Sequence, residues 1–266
     1  SAAPVLKGKR FFNRKTVWQY RKKKWGEKLE KICMEGCNRH YMRADFREFC
    51  WDQVLLGKKR VEIWGAVPQL FIDHHGYQDA EKMKWILDEH GLVCSAFTPK
   101  TYRYNLGSGD SQVRAWSLSY FEECIKAAAV LGAGRMLIYV PAVIRDGDWE
   151  RAEEIFAENM ECLAEYAADY HISLAAGGSN AFAADLPEYR RLMEKIKNPS
   201  VKCFFETEIL LFSKYTLREW LGELKEALVH IHFADASEMG SCKIGDGCLP
   251  MRQYLGDIMK SGYLGG

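Results

Sequence analysis

The sequence predicts an α/β protein whose parallel sheet is closed into an eight-fold (β/α) barrel. Short apolar runs that suit buried strands alternate with stretches of helical periodicity, and this unit recurs seven times along the chain. Helices that connect short buried strands are typical of parallel pairing. The length of 266 residues accommodates one barrel of about 250 residues. Seven such units in one chain favour a barrel over an open sheet.

Seven apolar runs predict the strands. Several are rich in β-branched or aromatic residues, which favour extended structure. In chain order the runs are Lys31–Cys37, Arg60–Trp64, Leu92–Phe97, Met136–Val140, Ile172–Ala176, Val201–Glu206 and Leu228–Phe233.

Each run is followed by a stretch with helical spacing. Gly91 and Gly132 directly follow two of these stretches, as left-handed residues at helix ends do. Pro250 opens the last one, and proline suits the first helical turn. The predicted helices are Asp45–Leu56, Asp79–His90, Ser111–Leu131, Asp148–Tyr170, Leu186–Ile196, Leu217–Ala227 and Pro250–Ser261.

The sequence stops at Gly266, before an eighth strand. Three explanations are open: a truncated sequence, a barrel left open, or an N-terminal segment around Val17 and Trp18 that occupies the gap. The predicted organisation is a basic arm over residues 1–30 and a barrel domain over residues 31–266.

Charge separates these two parts. Residues 1–31 carry a formal charge of +9 and the remainder −8, for a total of +1. The run Arg21–Lys24 could touch phosphate, but we expect a solvated arm or one folded against the acidic body. The near-zero total predicts neither a nucleic-acid nor a membrane partner. The sequence also shows no secretory signal pattern and no long apolar span.

Nine cysteines are dispersed along the chain. Their odd number and irregular spacing argue against a disulfide framework in a chain of this size. They also lack the spacing of a structural zinc site. We therefore expect reduced thiols and a cytoplasmic location.

Polar side chains at the carboxyl ends of the strands are the functional candidates, because active sites of such barrels lie there. Glu206 and His232 end neighbouring strands and could ligate a divalent metal or act as base and acid. His230 shares a face with His232, since the two are two residues apart. The full set is Glu35, Glu62, Trp64, Thr98, Glu206, Glu208, His230, His232 and Asp235.

Each candidate also has a structural alternative. His230 and His232 could be hydrogen-bonded core histidines, and Glu62 could be ion-paired inside the barrel. Trp64 could cap the core. The pair His74-His75 invites a metal interpretation, but solvated histidines are common in a loop of this kind.

Four stretches together resemble a known family in order and spacing. The stretches are VEIWG from Val61, Thr98-Pro99 with Tyr104-Asn105, HIHFAD from His230, and IGDG from Ile244 with Pro250. The resemblance is to the sugar-phosphate isomerase/epimerase family with a xylose-isomerase-like barrel, and within it to the fructoselysine 3-epimerase type, over about residues 32–266.

The resemblance implies a metal-dependent enzyme that acts on a small carbohydrate. Family members hold one divalent metal, often Mn²⁺, with two glutamates, an aspartate and a histidine, and the glutamates move a proton between carbons of a bound ketose. The aspartate position falls on Glu206, as metal ligand and catalytic group, and the histidine on His232. Trp64, Glu62 and His230 are then expected to bind substrate. Members commonly pair, which implies a homodimer.

The chain departs from the family pattern at two ligand positions. The first glutamate belongs at the end of the fifth strand, where Ser173–Asn180 contains no carboxylate, and the last belongs beyond Gly266. Two hypotheses follow. One is an isomerase or epimerase in which Glu208 or Glu35 replaces the lost carboxylate. The other is a degenerate barrel that binds a sugar-like ligand or a partner subunit without this chemistry.

Overall fold

The computed structural model describes residues 34–263, except 102, 141–147 and 179–182, together with Gly265. Seven parallel strands form one sheet that follows chain order, and two short antiparallel hairpins are separate from it. The sheet strands are β1 (Gly36–Cys37), β2 (Arg60–Gly65), β5 (Val93–Pro99), β6 (Arg135–Tyr139), β7 (Ser173–Gly177), β8 (Lys202–Glu206) and β9 (Leu228–His232). The hairpin strands are β3 (Phe71–Asp73), β4 (Gly76–Gln78), β10 (Asp235–Ser237) and β11 (Gly240–Cys242).

Local sequence fixes most helix starts. Asp45 and Asp110 accept backbone N–H groups of the first turn, and Thr216 forms a reciprocal capping box with Glu219. Such caps satisfy the amides that a helix start leaves without partners. The helices are α1 (Phe46–Leu55), α2 (Ala80–Glu89), α3 (Ser111–Leu131), α4 (Trp149–Asp169), α5 (Leu186–Lys195), α6 (Leu217–Leu224) and α7 (Met251–Ser261).

The sheet is strongly curled. β2 and β9 are five strand spacings apart in the sheet order, which is about 24 Å in a flat sheet. Yet Glu62 of β2 and His230 of β9 approach within 3.1 Å. Only curvature of the sheet into a barrel brings them together, and the predicted fold class is confirmed.

Two apolar clusters divide the interior. The large one lies between strands and helices and includes Ile63, Phe97 and Ile138, all fully buried. The small one lies on the other face of the sheet and joins Leu137, Ala175 and Phe204. Strand side chains alternate between the two faces of the sheet. The small cluster occupies part of the inner face, so few inner positions are left for polar groups.

The first predicted strand is shorter than expected. Only Gly36–Cys37 is extended and paired, with β2. Glu35 instead lies before the strand, where Arg60 Nε is 2.9 Å from its carboxylate and the Ser95 hydroxyl also donates to it.

Two further differences concern loops. The predicted helix Leu217–Ala227 becomes a 3-10 turn from Lys225, whose φ of 40° breaks the α-helical hydrogen bonding. The hairpins β3–β4 and β10–β11 were not predicted, because three-residue strands carry too little alternation to recognise.

Some expectations fall on other parts of the chain. The basic arm, residues 1–30, and the stretch around Val17 and Trp18 lie outside the described residues. Among the described residues, no helix combines the length and apolar character needed to cross a membrane. The eight described cysteines are all free thiols.

Candidate metal centre and active site

Four polar side chains from β2, β8 and β9 meet inside the barrel. The β8–β9 register aligns Phe204 with His230 and Glu206 with His232. Glu206 and His232 therefore share a face, as the sequence predicts, and His230 follows one pleat below. Glu62 reaches them from β2 across the barrel.

Glu62 contacts both histidines. Its Oε2 is 3.1 Å from His230 Nε2 and 3.2 Å from His232 Nε2, while its Oε1 accepts a 2.7 Å hydrogen bond from the Thr98 hydroxyl. Glu62 and His230 are 5% and 3% exposed. A buried carboxylate persists only with such partners, so the predicted ion pairing of Glu62 and the predicted site overlap in one cluster.

Glu206 and His232 form a second contact on the opposite ring nitrogen. His232 Nδ1 lies 2.7 Å from Glu206 Oε1, and the Tyr139 hydroxyl donates to the same oxygen at 2.7 Å. Two donors on one oxygen fix the orientation of the Glu206 carboxylate. His232 is thus bracketed by carboxylates at Nδ1 and Nε2.

The electrostatics follow from burial and these contacts. Burial disfavours ionised Glu62, but the His232 charge and the close contacts with both imidazoles hold its pKa well below the ordinary value. Burial also opposes the imidazolium, yet Glu62 and Glu206 raise the pKa of His232 from 6.5 to about 10. Opposite charges a few ångströms apart stabilise each other's charged forms in this way.

The donors suit a divalent metal. Glu62, His230 and His232 each offer one ligand atom, and these atoms lie within 4.8 Å of one another. Carboxylate oxygen and imidazole nitrogen are common ligands of transition-metal ions. The Nε2 of His232 is buried without a hydrogen-bond partner among the described residues. A metal ion therefore fits this set of side chains.

Gly177 explains the missing carboxylate at the end of β7. A Cβ there would lie 2.2 Å from the Phe204 carbonyl oxygen of β8, closer than real atoms approach. Ala175, on the same face, is buried against Leu137 and Phe204. The backbone and packing of this strand end, not only the residue types, leave no room for a glutamate.

The other predicted residues lie elsewhere. Trp64, the last residue but one of β2, is half-buried, and its backbone N–H donates to Asn38 Oδ1 at 2.6 Å. Glu35 lies at the amino ends of the strands, and Glu208 accepts from the Ser241 hydroxyl of hairpin β10–β11. Neither glutamate joins the cluster, so the expectation that one of them replaces the lost carboxylate is not supported.

Asp235 shapes the loop beyond β9. It is fully buried, and its carboxylate accepts the backbone N–H groups of Ala236, Gly245, Gly247 and Leu249 at 2.8–3.3 Å. These bonds lower its pKa against the effect of burial. The last residue of the HIHFAD stretch is therefore a loop organiser.

Two residues at the site are not among the candidates that the sequence predicts. Tyr139 lies in a predicted apolar strand, and alternation from Leu137 places its side chain on the inner face. Cys37 pairs in register with Glu62, and burial and the Glu62 charge hold its pKa well above the ordinary value. The His74-His75 pair lies in the β3–β4 turn, where His74 Nδ1 is 3.4 Å from the Tyr104 hydroxyl.

Comparison with known proteins places this chain in a family. The family described as a xylose isomerase-like TIM barrel matches residues 56–265. The chain belongs to that family, and the resemblance noted from its motifs is confirmed.

Particular relatives are sugar epimerases. The fructoselysine 3-epimerases of Shigella flexneri and Escherichia coli O157:H7 are each 24% identical to this chain over 226 residues, 79% of both chains. Among solved structures, 3-keto-D-glucoside 4-epimerase from E. coli has a TM-score of 0.71 at 16% identity, with 88% of this chain and 90% of that chain covered. D-psicose 3-epimerase gives 0.68 at 17% identity, with 87% and 83% covered. At these identities the structural matches show the fold.

Proposed function

We propose that this protein is a carbohydrate isomerase or epimerase that transfers a proton at a carbon beside the carbonyl of a ketose or related sugar derivative. The observation that carries the proposal is the Glu206–His232 pair, whose Oε1 and Nδ1 atoms lie 2.7 Å apart at the ends of adjacent strands. These strand ends form the catalytic face of such barrels. Membership in a family with sugar-epimerase relatives supports the same chemistry.

Glu206 is the proposed base. The hydrogen bonds from Tyr139 and His232 hold its carboxylate in one orientation, as a positioned general base requires. Moving a proton between adjacent carbons on one face needs a single base. Inverting a carbon needs a second group on the other face, and Glu62 is the other carboxylate in the cluster. Trp64, Glu62 and His230 are proposed to contact the sugar.

A divalent ion completes the proposal. When bound, it would polarise the carbonyl oxygen and acidify the neighbouring C–H bond. Mn²⁺ is the ion that the family resemblance implies, and His232 would hold it together with a carboxylate of the cluster. The protein's own part is to orient the carboxylates and to exclude water from the buried side of the cluster.

A second candidate is a barrel that binds a sugar-like ligand without proton transfer. Gly177 and Ala175 favour it, because neither can supply the carboxylate that the family mechanism uses at this strand end. Glu62 and Glu206 favour the enzyme, because each is a buried carboxylate of the type that transfers protons.

Deuterium exchange separates the two candidates. Purified protein with Mn²⁺ or Zn²⁺ would be incubated in D₂O with a panel of ketoses and fructosamine-type sugars, and label at carbon would be followed by NMR. We expect incorporation that is lost in Glu206→Gln and kept in Glu154→Gln, a matched change on the exposed side of α4. Sugar binding by calorimetry without any exchange would instead establish the binding barrel.

We also propose a cytoplasmic location and a homodimer. The free thiols agree with a reducing cytoplasm, and family analogy suggests a pair of identical chains. Sedimentation velocity of the purified protein tests the second proposal, since a monomer at micromolar concentration would contradict it.

A further inference from the structure

We propose that the metal of this site is bound by Glu62 Oε2, His230 Nε2 and His232 Nε2, and not through Glu206. This inference rests on the proposed function only in assuming that a metal is used there. It moves the metal-binding carboxylate to β2, on the opposite side of the barrel from the strand end that lacks one.

Distances support this ligand set. Bonds of about 2.1 Å from a metal to nitrogen or oxygen place neighbouring ligand atoms about 3.0–3.4 Å apart, for octahedral and tetrahedral angles. Glu62 Oε2 lies 3.1 Å from His230 Nε2 and 3.2 Å from His232 Nε2. Both separations fall in that range, so an ion needs little rearrangement of the side chains.

The contacts of His232 assign Glu206 an outer role. Glu206 Oε1 holds the Nδ1 side of the ring at 2.7 Å, which directs Nε2 towards Glu62. Nε2 is buried and lies outside hydrogen-bonding geometry with the described residues. A carboxylate behind a ligating histidine is the usual support for a metal-bound imidazole.

Glu62 is prepared as a single-oxygen ligand. The Thr98 hydroxyl occupies its Oε1 at 2.7 Å, and Oε2 faces the two imidazoles. Thr98 thereby orients the Glu62 carboxylate, as Glu206 orients the His232 ring. The hydrogen bond from Thr98 to Glu62 is buried, which limits competition from water for Glu62 Oε1.

The donor types indicate the kind of ion. Two imidazoles and one carboxylate favour Zn²⁺, Fe²⁺ or Co²⁺ over the oxygen-preferring Mn²⁺ and Mg²⁺. Three protein ligands also leave coordination positions open for sugar oxygens, as catalytic sites require. Most sites of nitrogen and oxygen ligands bind Zn²⁺ more tightly than Mn²⁺, so the order of metal affinities does not test the ligand set. Side-chain variants test it instead.

The experiment is metal binding to chelator-stripped protein without substrate. Co²⁺ titration is followed by calorimetry and visible absorption, and bound Zn²⁺ by elemental analysis. We expect one ion per chain. Glu62→Gln and His230→Phe should weaken binding more than about 100-fold, because they remove ligands. Glu206→Gln should weaken it only about 10- to 100-fold, as loss of an outer support does, and the exposed-site controls Glu154→Gln and His75→Phe should have no effect.

The outcomes separate this inference from the proposed function. No binding, or binding that Glu206→Gln abolishes while His230→Phe leaves it intact, would overturn the ligand set. Binding with the expected pattern but no deuterium exchange would uphold the site and remove only the enzymatic proposal. Thermal melts of each stripped variant identify any that fails to fold, in which case Glu62→Gln, the smallest change, decides.

Discussion

Glu62 and His230 are 168 residues apart in the chain, and their Oε2 and Nε2 atoms lie 3.1 Å apart inside the barrel. Each would be costly to bury alone, since an unpaired charge in the interior loses its hydration. Together with His232 they satisfy one another. The contact therefore joins the first and last thirds of the chain and forms only when the sheet has curled.

Tyr139→Phe removes the hydroxyl that donates to Glu206 Oε1. Burial and the Glu206 charge raise the pKa of Tyr139, so the hydroxyl remains a donor. Losing a hydrogen bond to a charged group should lower the free energy of unfolding by about 1.5–3 kcal/mol, while the ring still packs on Phe204. Urea denaturation at pH 7 measures this.

Tyr104→Phe is the matched control for that change. Its hydroxyl lies 3.4 Å from His74 Nδ1, beyond the usual length of a strong hydrogen bond. We expect a smaller loss of stability than in Tyr139→Phe. Equal losses would show that the Tyr139–Glu206 contact contributes nothing particular to the site.

Gly177→Ala should destabilise the protein by about 1–3 kcal/mol, the usual cost of overpacking. The new Cβ would meet the Phe204 carbonyl at 2.2 Å, and backbone cannot move aside as a flexible side chain can. Gly222→Ala in α6 meets nothing within 4 Å and should stabilise by up to about 1 kcal/mol through helix propensity. A thermal shift in the same direction for both would contradict the steric explanation of the missing carboxylate.

Protonation of Glu153 should contribute to the loss of unfolding free energy in acid. Its carboxylate is 1% exposed and lies 2.7 Å from Arg191 Nη2 and 2.9 Å from Lys195 Nζ. Burial acts against its ionisation, but these two partners lower its pKa below 4.5. The stabilisation is thus complete above pH 4.5, the unfolded value, and disappears as pH falls through the lower folded pKa.

Glu153→Gln should accordingly flatten the fall of unfolding free energy with acid below about pH 4.5 and lower stability at pH 7. Denaturant titrations across the acid range measure the slope. Glu154→Gln, one residue along α4 with a carboxylate 46% exposed, should leave the slope unchanged. A variant curve parallel to the wild-type one would show that Glu153 does not link folding to protonation.

Local patterns determined most of the secondary structure before any tertiary contact was known. Helical spacing predicts helices that begin at Asp45 and Ser111, and in the structure the Asp45 and Asp110 side chains cap α1 and α3. N-cap side chains act on amides two or three residues away, so these starts are local in origin. The hairpins and the break at Lys225 were not predicted, since their conformations depend on packing against neighbouring segments.

The candidate site is likewise determined in part by the local sequence and in part by the tertiary structure. Strand alternation places His230 with His232, and the order of adjacent parallel strands places Glu206 beside them; both follow from the sequence by itself. Only the tertiary structure brings Glu62 and Thr98 across the barrel, directs His232 Nε2 away from Glu206, and closes the end of β7 around Gly177. Sequence spacing reports neighbours along and between paired strands, whereas the curvature of the sheet decides which side chains meet across its interior.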